Sequence, residues 1–400
     1  KKPQNSIGIL YCLRDCTHCR MVISHLESRF QHRKSRDHKL MRCLLPLLIV
    51  TILLSACSGD IDNTPESGGQ AYKRVFSWSV PIDIFGFQPQ LRYAYCPSVI
   101  EMEDGSCHIF FCGNPDEGKM VDNVFHLFIN QDGALSEPVS VLAPTPDAWD
   151  SFHCCDPNII EGLFKMDSHT YKYAMFYLGS DRGDTNGNEI GVAFSNDLNS
   201  RTWVKYPKPL LPFSGDNDRY WGIGQPSAIS LDRQGQILLS YSCGDEKGTR
   251  VEMCEINLRD MSDIKIGEVV RVSSSGFNHL MHNCDFAIDS AHNKIVGAIS
   301  GDWAKVYPSF IETFVGVAYM DYDSFLKGKG SWMRLPDINS DVSGFYRNHN
   351  PGLLRDSFGY LKDYRTPSVF YTIATTGAPC EWSYRICRVD GKLIKQEITE

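Results

Sequence analysis

A pattern of three segments that recurs five times constrains this chain more than any other feature of its sequence. Each copy begins with a polar residue or cysteine, which proline follows in four of the five copies, and continues with small and apolar residues. Successive copies start 60, 69, 59 and 66 residues apart. The five first segments are residues 96–100, 156–160, 225–229, 284–288 and 350–354.

Two further apolar segments follow each start. Short β-branched and aromatic runs between Gly, Asp and Asn turns are typical of strands, and repeats at regular spacing indicate a modular architecture. The second segments are residues 108–113, 173–179, 237–244, 295–301 and 369–377, and the third are 124–129, 190–195, 250–256, 314–319 and 384–389. Three matched strands and a more variable fourth predict one four-stranded antiparallel blade for each copy.

Five such blades in a ring form a β-propeller, an arrangement that removes long open sheet edges. We therefore predict an all-β, five-bladed β-propeller over residues 72–400. The alternative is a two-sheet sandwich, which would not require the same signature five times. Residues 72–91 are rich in strand-forming residues, and we expect them to supply the outer strand that closes the ring against the last blade.

The longest apolar run, residues 43–57, is too short for a comfortable membrane span. A short basic start, an apolar stretch and small residues before a cysteine are typical of a secretory signal. Leu54-Ser55-Ala56-Cys57 resembles the bacterial lipobox, which implies a lipoprotein signal peptide over residues 41–56 and lipidation of Cys57. A plain signal peptide or a membrane-anchoring helix is the alternative.

The segments on either side of this signal complete the predicted domain organisation. Residues 57–71 are rich in Ser, Gly, Asp, Asn and Pro, as expected of a tether. Residues 1–40 have no place before a signal peptide, so we interpret them as a mis-called or non-structural leader. The protein is therefore expected to be exported and lipid-anchored to a bacterial membrane, the outer membrane in our prediction.

The chain beyond residue 56 is strongly acidic. The whole chain has 40 Lys+Arg and 48 Asp+Glu, of which residues 1–56 hold ten and three, so the remainder carries a net charge of -15. Such a surface repels polyanions, which argues against nucleic acid as a partner and favours neutral or cationic ligands. Ten of the 15 cysteines lie beyond Cys57, too few for a disulfide scaffold, and their pairing stays open.

A propeller brings the starts of its innermost strands together at one mouth. All five strands run in the same direction around the axis, so the first residue of each copy should line that mouth. The repeat places there Cys96, Asp156, Gln225, Cys284 with Asp285, and His349 with Asn350, and just upstream His153, His282 and Asn283.

The connections between second and third strands return to the same face and should form the walls of the mouth. Carboxylates beside exposed indoles suit carbohydrate, because sugar faces stack on aromatic rings while hydroxyls need polar partners. Each tryptophan could instead pack a blade. The candidate substrate-binding residues are Cys96, His153, Gln225, Trp149, Trp221, Asp181, Arg182, Asp302, Trp303 and Trp382.

Several motifs resemble a known family. The X-Pro strand starts, residues 190–198 (Ile-Gly-Val-Ala-Phe-Ser-Asn-Asp-Leu) with Trp203, and residues 221–226 (Trp-Gly-Ile-Gly-Gln-Pro) resemble five-bladed propeller glycoside hydrolases. The resemblance is to the arabinanase and β-xylosidase type, family 43-like, and its relatives, and it spans roughly residues 90 to 400. It implies glycan hydrolysis by three acidic residues on the first three innermost strands.

Only one of those three acidic positions is acidic in this chain. The resemblance places the orienting aspartate at Asp156, but the general base falls on Cys96 and the general acid on Gln225. A thiol is a poor base for water, and an amide cannot donate the proton. Either the catalytic pair has moved, with Asp156 as base and Asp285, Glu312 or His282 as acid, or the chain binds glycans without cleaving them. A protein-interaction propeller is a third reading.

Metal and partner predictions follow from the same positions. His349 lies where several relatives hold a central cation, so the resemblance implies a Ca²⁺ site to which Asn350 and Asp285 could add oxygen ligands. A zinc site of Cys96, Cys154, Cys155 and Cys284 is disfavoured, because residues from separate blades rarely approach closely enough. We expect a monomer that acts on an oligosaccharide or polysaccharide and meets the membrane only through its lipid anchor.

Overall fold

A computed structural model of the protein describes residues 72–86, 91, 93–114, 121–183, 185–303, 305, 311–375 and 383–397. The predicted leader, signal peptide, Cys57 and tether lie outside the described residues, as does Trp382. Within these ranges, no helix is long and apolar enough to cross a membrane.

The described chain is almost entirely β-strand, as the sequence predicts. Two short helices, α1 (Tyr322–Leu326) and α2 (Ser340–Ser343), lie late in the chain. The strands are β1 (Tyr72–Trp78), β2 (Ile82–Phe85), β3 (Tyr95–Glu101), β4 (Cys107–Gly113), β5 (Asn123–Ile129), β6 (Val139–Leu142), β7 (His153–Met166), β8 (His169–Ser180), β9 (Glu189–Ser195), β10 (Val204–Lys205), β11 (Gly222–Ser230), β12 (Gln236–Asp245), β13 (Gly248–Asn257), β14 (Lys265–Ile266), β15 (Val270–Arg271), β16 (His282–Asp289), β17 (Lys294–Ser300), β18 (Val315–Asp321), β19 (Met333–Arg334), β20 (Arg347–Arg355), β21 (Ser368–Ala374) and β22 (Arg385–Glu397).

Each predicted repeat forms consecutive antiparallel strands. The second, third and fourth repeats make separate sheets in the orders β10-β9-β8-β7, β11-β12-β13-β14 with β15 on β13, and β16-β17-β18-β19. The first and fifth repeats share a nine-stranded sheet, β1-β22-β21-β20-β3-β4-β5-β6, with β2 on β22. Their junction is a short parallel contact between β20 and β3. The apolar core is divided between neighbouring sheets, since one large cluster joins Phe164 and Phe176 to Ile237 and Leu239.

The predicted closing strand pairs where the sequence places it. β1 runs antiparallel to β22 over seven residue pairs, from Tyr72↔Glu397 to Trp78↔Gly391. The indole N–H of Trp78 donates to the carbonyl of Pro336, at 2.7 Å, and so contacts the fourth repeat. The N-terminal strand of the described chain is thus the outer strand of the C-terminal repeat.

The five innermost strands, β3, β7, β11, β16 and β20, share a bulge near their first residues. The pairing shifts there in every one of them. The residue in each bulge has left-handed backbone geometry, with φ of 51° at Cys96, 48° at Asp156, 52° at Gln225, 47° at Asn283 and 48° at Asn350. We call these five residues the mouth ring. Left-handed φ is uncommon outside glycine, so its recurrence marks them as equivalent positions.

The mouth ring corrects the sequence alignment of the fourth repeat. Asn283, rather than Cys284, is the equivalent of Cys96, Asp156 and Gln225. The fourth repeat has no proline after its mouth residue, so the sequence offered no marker for the register, and the predicted start was one residue late. Asp285 then lies two residues beyond the ring, one layer further along the strand.

That second layer is a buried polar network around Asp285. One carboxyl oxygen accepts from Ser227 Oγ at 2.8 Å and Asn158 Nδ2 at 3.2 Å, and the other accepts from the Leu353 amide at 2.8 Å. Arg355, 2% exposed, lies 3.4 Å from the same carboxylate. The network therefore ties together strands from four repeats.

The Arg355 guanidinium is satisfied by three repeats at once. It donates to the carbonyls of Ala228 and Phe286, at 3.1 and 2.8 Å, and to Asn158 Oδ1 at 2.6 Å. Buried charges need such partners, because desolvation otherwise costs several kcal/mol. β20 approaches β3 equally closely, since a Cβ on Gly352 would meet the Pro97 carbonyl oxygen at 1.9 Å.

Candidate active site

The mouth ring surrounds a cavity at the point where the innermost strands meet. Cys96, Asp156, Gln225, Asn283 and Pro351 line it, together with their neighbours Pro97, Pro157, Asn158, Pro226, Cys284 and Asp285. All five repeats contribute to this lining. The bulges explain why, because each interrupts the pleat and holds one side chain toward the axis. Cys96, Asp156 and Gln225 meet at this cavity, as the sequence predicts.

Asp156 is a buried carboxyl beside sulfur groups. Its amide donates to Cys112 Sγ at 2.8 Å, and its Oδ1 lies 3.3 Å from Cys155 Sγ. Those two cysteines form a disulfide that joins β4 to β7, a pairing that the sequence left open. Burial raises the pKa of Asp156 to about 6, against the opposing effect of hydrogen bonds from the Cys96 thiol and the Gln225 amide. Asp156 is therefore mostly ionised at neutral pH.

Glu312 is a second buried carboxyl and comes from the connection between β17 and β18. It is 5% exposed, and burial raises its pKa to about 8 against the opposing effects of a backbone hydrogen bond and Arg347. Its two oxygens face His282 Nδ1 at 3.5 Å and His349 Nδ1 at 3.9 Å. Glu312 therefore holds its proton at neutral pH, unlike Asp156.

A chain of polar contacts connects the two carboxyls. The thiol of Cys96 hydrogen-bonds to Asp156, and Asn350 Nδ2 donates to Cys96 Sγ at 2.8 Å. Asn350 Oδ1 contacts His349 Nδ1, and His349 faces Glu312. One ionised and one protonated carboxyl thus lie at the two ends of one site, which is the arrangement that acid–base catalysis requires.

The two histidines of the site are neutral. Burial is the main reason that the pKa of His282 falls to about 4 and that of His349 to about 3. Among the acids predicted from sequence, Glu312 is therefore the group that carries a proton at neutral pH. His282 Nε2–H donates to the carbonyl oxygen of Gly301 at 3.2 Å.

The contacts of Asp285 do not favour the predicted role of this residue as the acid. Its oxygens are engaged by Ser227, Asn158, the Leu353 amide and Arg355, one layer below the mouth ring. Its position indicates that it holds strands together.

A calcium ion does not fit the residues predicted for it. Asp285 already faces Arg355, whose positive charge opposes a cation there. Asn350 Oδ1 contacts His349, so the oxygens of Asn350 and Asp285, which Ca²⁺ would need as ligands, are engaged by other groups. Among the described residues, the clusters with metal-ligand spacing are Cys96, Cys112 and Asp156, and Asp289, His292 and Asp363, and neither includes His349 or Asn350.

A third buried carboxyl, Asp122, lies beside the mouth and was not predicted as a site residue. Tyr95 donates its hydroxyl hydrogen to Asp122 Oδ2 at 2.9 Å, and His153 Nδ1 is 3.9 Å from the same oxygen. Burial raises the pKa of Asp122 to about 7, and the charge of Asp156 adds to that shift. The sequence placed Asp122 only at the end of a wall loop, because nothing local marks it as buried.

The predicted tryptophans have different surroundings. Trp149 stacks on Tyr177 at 5.7 Å and lies against Gly179 and Gly191, so it packs within the second repeat. Trp221 packs beside the apolar cluster of Cys96, Cys112, Cys155 and Leu178. Trp303 is 54% exposed and lies 5.7 Å from the His282 ring. Among the described candidate tryptophans, Trp303 therefore offers the most exposed stacking face, and it pairs with Glu312 in an antiparallel bridge.

The remaining predicted binding residues have polar or exposed surroundings. Asp181 and Asp302 are exposed, and Arg182 pairs with Asp218 at 2.7 Å. His153 borders Asp122 at the start of β7.

Comparisons with known proteins agree with this architecture. No protein-family profile and no curated protein matches the chain. Among solved structures, Zg3597, a family 117 glycoside hydrolase of the marine bacterium Zobellia galactanivorans, matches with a TM-score of 0.52 and 12% identity, over 80% of this chain and 90% of that one. The catalytic domain of a Coprinopsis cinerea GH62 α-L-arabinofuranosidase matches with a TM-score of 0.54 and 13% identity, over 79% of this chain and 97% of that one.

A third similar structure was solved with a bound oligosaccharide. It is an α-L-arabinofuranosidase of Podospora anserina in complex with cellotriose, with a TM-score of 0.51 and 11% identity, over 79% of this chain and 97% of that one. The structures named here are glycoside hydrolases. At these identities, the likeness establishes the fold.

Proposed function

We propose that this protein is a glycoside hydrolase whose five repeats form a closed five-bladed propeller and whose mouth cleaves neutral glycans. One observation carries the proposal. Two buried carboxyls of opposite protonation state, Asp156 with a pKa near 6 and Glu312 with a pKa near 8, lie at the two ends of one polar chain. Glycosidases need such a pair, one group to accept a proton and one to protonate the leaving oxygen.

The roles follow from the protonation states. Glu312 donates its proton to the glycosidic oxygen, and Asp156 accepts a proton from the attacking group. Trp303 offers its exposed face to a sugar ring near Glu312. The glycoside hydrolases among the structural neighbours, including one in complex with cellotriose and one with xylotriose, support carbohydrate as the substrate class.

The test uses aryl glycosides and oligosaccharides of arabinose, xylose and galactose with three variants. Asp156→Asn and Glu312→Gln are expected to lower kcat/KM by about 10²–10⁴-fold on oligosaccharides. Glu312→Gln should keep much more activity on p-nitrophenyl glycosides, because a good leaving group does not need protonation. Glu161→Gln is the control, since Glu161 lies on β7 but accepts a hydrogen bond from Ser357 Oγ at 2.6 Å, away from the mouth.

The alternative is a glycan-binding propeller that has lost catalysis. Cys96 and Gln225 stand where the family resemblance implies carboxyls, and this favours it. Binding of an oligosaccharide without release of sugar, unchanged in Asp156→Asn and Glu312→Gln, would support this alternative against hydrolysis.

We also propose that the protein is exported and lipid-anchored through Cys57 to the outer membrane of a bacterium. The lipobox-like residues and the tether sequence support this. Metabolic labelling with a fatty-acid analogue should modify the native protein, and Cys57→Ala should abolish the label. Unlabelled native protein would contradict the anchor without bearing on the hydrolase.

A further inference from the structure

The mouth contains a thiol, that of Cys96, at the position where the family resemblance implies a general base. Cys96 belongs to the mouth ring, lines the cavity, and is 7% exposed. The nearby Cys112 and Cys155 are joined in a disulfide, so Cys96 keeps its sulfur free. The sequence suggested only a binding role, because a thiol cannot replace a carboxylate as a base for water.

A base and an amide donor flank the sulfur of Cys96. The Cys96 sulfur and a carboxyl oxygen of Asp156 lie within 4.8 Å of each other. Burial raises the pKa of the thiol, and so does its interaction with Asp156, whereas the same interaction lowers the pKa of the carboxyl, so the thiol donates and Asp156 accepts. Asn350 Nδ2 donates to the sulfur at 2.8 Å, and Asn283 Nδ2 lies 4.0 Å away. A nucleophile beside a base, with a donor for the developing charge, is the arrangement used by enzymes with covalent intermediates.

The acid of the site is close to this sulfur. Asn350 and His349 connect Cys96 to Glu312 through successive contacts. His349 is 2% exposed, and its Nε2 finds no hydrogen-bond partner among the described residues. A buried unpartnered nitrogen costs free energy, and a bound hydroxyl group would satisfy it.

We propose that Cys96 is the catalytic nucleophile, and that hydrolysis proceeds through a thioglycosyl-enzyme with net retention of anomeric configuration. The proposal rests on the glycoside hydrolase function proposed above and deepens it. Asp156 then takes its proton from the thiol rather than from water.

The two steps balance. In the first, the Cys96 sulfur attacks the anomeric carbon, its proton passes to Asp156, the carbon–oxygen bond breaks, and Glu312 protonates the leaving oxygen. In the second, water attacks the anomeric carbon and gives its proton to Glu312, the carbon–sulfur bond breaks, and Asp156 returns its proton to the sulfur. The net reaction is hydrolysis, and two inversions at one carbon give retention.

The resting group is the neutral thiol. Burial and the neighbouring carboxyls raise the pKa of Cys96 well above its usual value. The proton must therefore leave during the attack, which explains why an ionised acceptor in hydrogen-bond contact is needed. The competing mechanism is direct attack by water that Asp156 activates, and it gives inversion.

The test follows the stereochemistry of methanolysis on full-length protein. p-Nitrophenyl α-L-arabinofuranoside, p-nitrophenyl β-D-xylopyranoside and any oligosaccharide cleaved in the panel above are incubated with methanol, and the methyl glycoside is assigned by ¹H NMR. We expect the anomeric configuration of the substrate. Acid-quenched protein should gain the mass of one sugar residue, and peptide mapping should locate it at Cys96.

Variants separate nucleophile from packing. Cys96→Ala and Cys96→Ser should lower kcat/KM by about 10³-fold or more, as loss of a nucleophile does elsewhere, with little change in melting temperature. Cys254→Ala is the control, because Cys254 is a free buried cysteine within the apolar core. It should keep parental activity.

Each outcome decides between the proposals. Inverted methyl glycoside, or a folded Cys96→Ala variant with parental kcat/KM, overturns the thiol nucleophile and leaves the hydrolase intact. Absence of hydrolysis by the parent on every substrate overturns both. Retention with a sugar adduct on Cys96 establishes both.

Discussion

At the residue scale, the chemistry of the mouth depends on how burial and hydrogen bonding give two carboxyls different pKa values. Asp156 and Glu312 are both almost removed from water, yet their pKa values differ because their partners differ. Asp156 accepts hydrogen bonds from a thiol and an amide, whereas Glu312 faces two neutral imidazoles. Hydrogen bonds to the charged form lower a pKa, and desolvation raises it.

This difference predicts a bell-shaped pH profile. Asp156 must be ionised, so kcat/KM should rise as pH increases through about 6, and Glu312 must be protonated, so it should fall through about 8. The optimum should lie near pH 7. In Glu312→Gln, measured on p-nitrophenyl glycosides, the alkaline limb should disappear while the acid limb remains. An unchanged alkaline limb in that variant would exclude Glu312 as its origin.

The sequence anticipated part of this site. Asp156, Cys96 and Gln225 were predicted from their X-Pro strand starts, and Glu312 from its place in a wall loop. Asp122 and Tyr95 were not predicted, because no local sequence pattern marks them as buried. The ring position of Asn283 was not predicted either, because no proline follows it to mark the bulge. The surroundings of Asp285 depend on Arg355, 70 residues later in the chain, a contact that periodicity cannot predict.

At the element scale, paired histidines make the first repeat sensitive to acid. His108 on β4 and His126 on β5 are buried with ring nitrogens 2.9 Å apart, and they pack against Phe110 and Phe128. Burial lowers both pKa values to about 4. Since the unfolded chain binds protons near pH 6.5, stability is full above that pH and is lost as pH falls toward 4.

The variant His108→Phe/His126→Phe tests this sensitivity. Between pH 6.5 and 4, the parent should lose on the order of 3 kcal/mol of unfolding free energy per histidine, and the double variant should lose correspondingly less. Urea unfolding at a series of pH values measures both. His169→Asn, at the exposed first residue of β8, is the control and should follow the parent. Equal pH dependence in parent and double variant would contradict the assignment.

The buried ion pair of Asp285 on β16 and Arg355 on β20 yields a second prediction about how strands are held together. Arg355→Met removes the positive charge and leaves Asp285 buried without it, so unfolding free energy should fall by about 3–5 kcal/mol. Adding Asp285→Asn should recover part of that loss, because it removes the stranded charge. Arg365→Met is the matched control, since its partner Asp363 is partly exposed, and such pairs contribute about 0–1 kcal/mol. An additive double variant would show that the two residues are uncoupled.

At the scale of the whole molecule, the strand order follows the sequence repeat, and this explains why the sequence predicted the main strands of each repeat. The repeat predicts three strands in each copy, and β1 adds an outer strand to β22. The repeat therefore sets the strand order, whereas the short strands β10, β14, β15 and β19, each of two residues, follow no shared pattern and could not be predicted.

Removal of β1 tests its part in holding the molecule together. A chain that begins after Trp78 loses seven backbone pairings with β22 and the indole contact to Pro336. We expect the melting temperature to fall by a few degrees, because a loss of about 1–2 kcal/mol shifts a chain of this size by roughly that amount. Melting followed by circular dichroism measures it. A melting temperature equal to that of the parent would argue against a closing role.

The mouth ring also implies that this scaffold can exchange its chemistry without rebuilding its backbone. Five non-glycine residues hold a left-handed conformation that costs of order 1 kcal/mol or more each, and each presents its side chain to a common centre. Glycine at any of them would relieve that cost and erase a reacting or binding group. At each of the five ring positions, a non-glycine side chain therefore supplies a reacting or binding group and lowers the stability of the backbone.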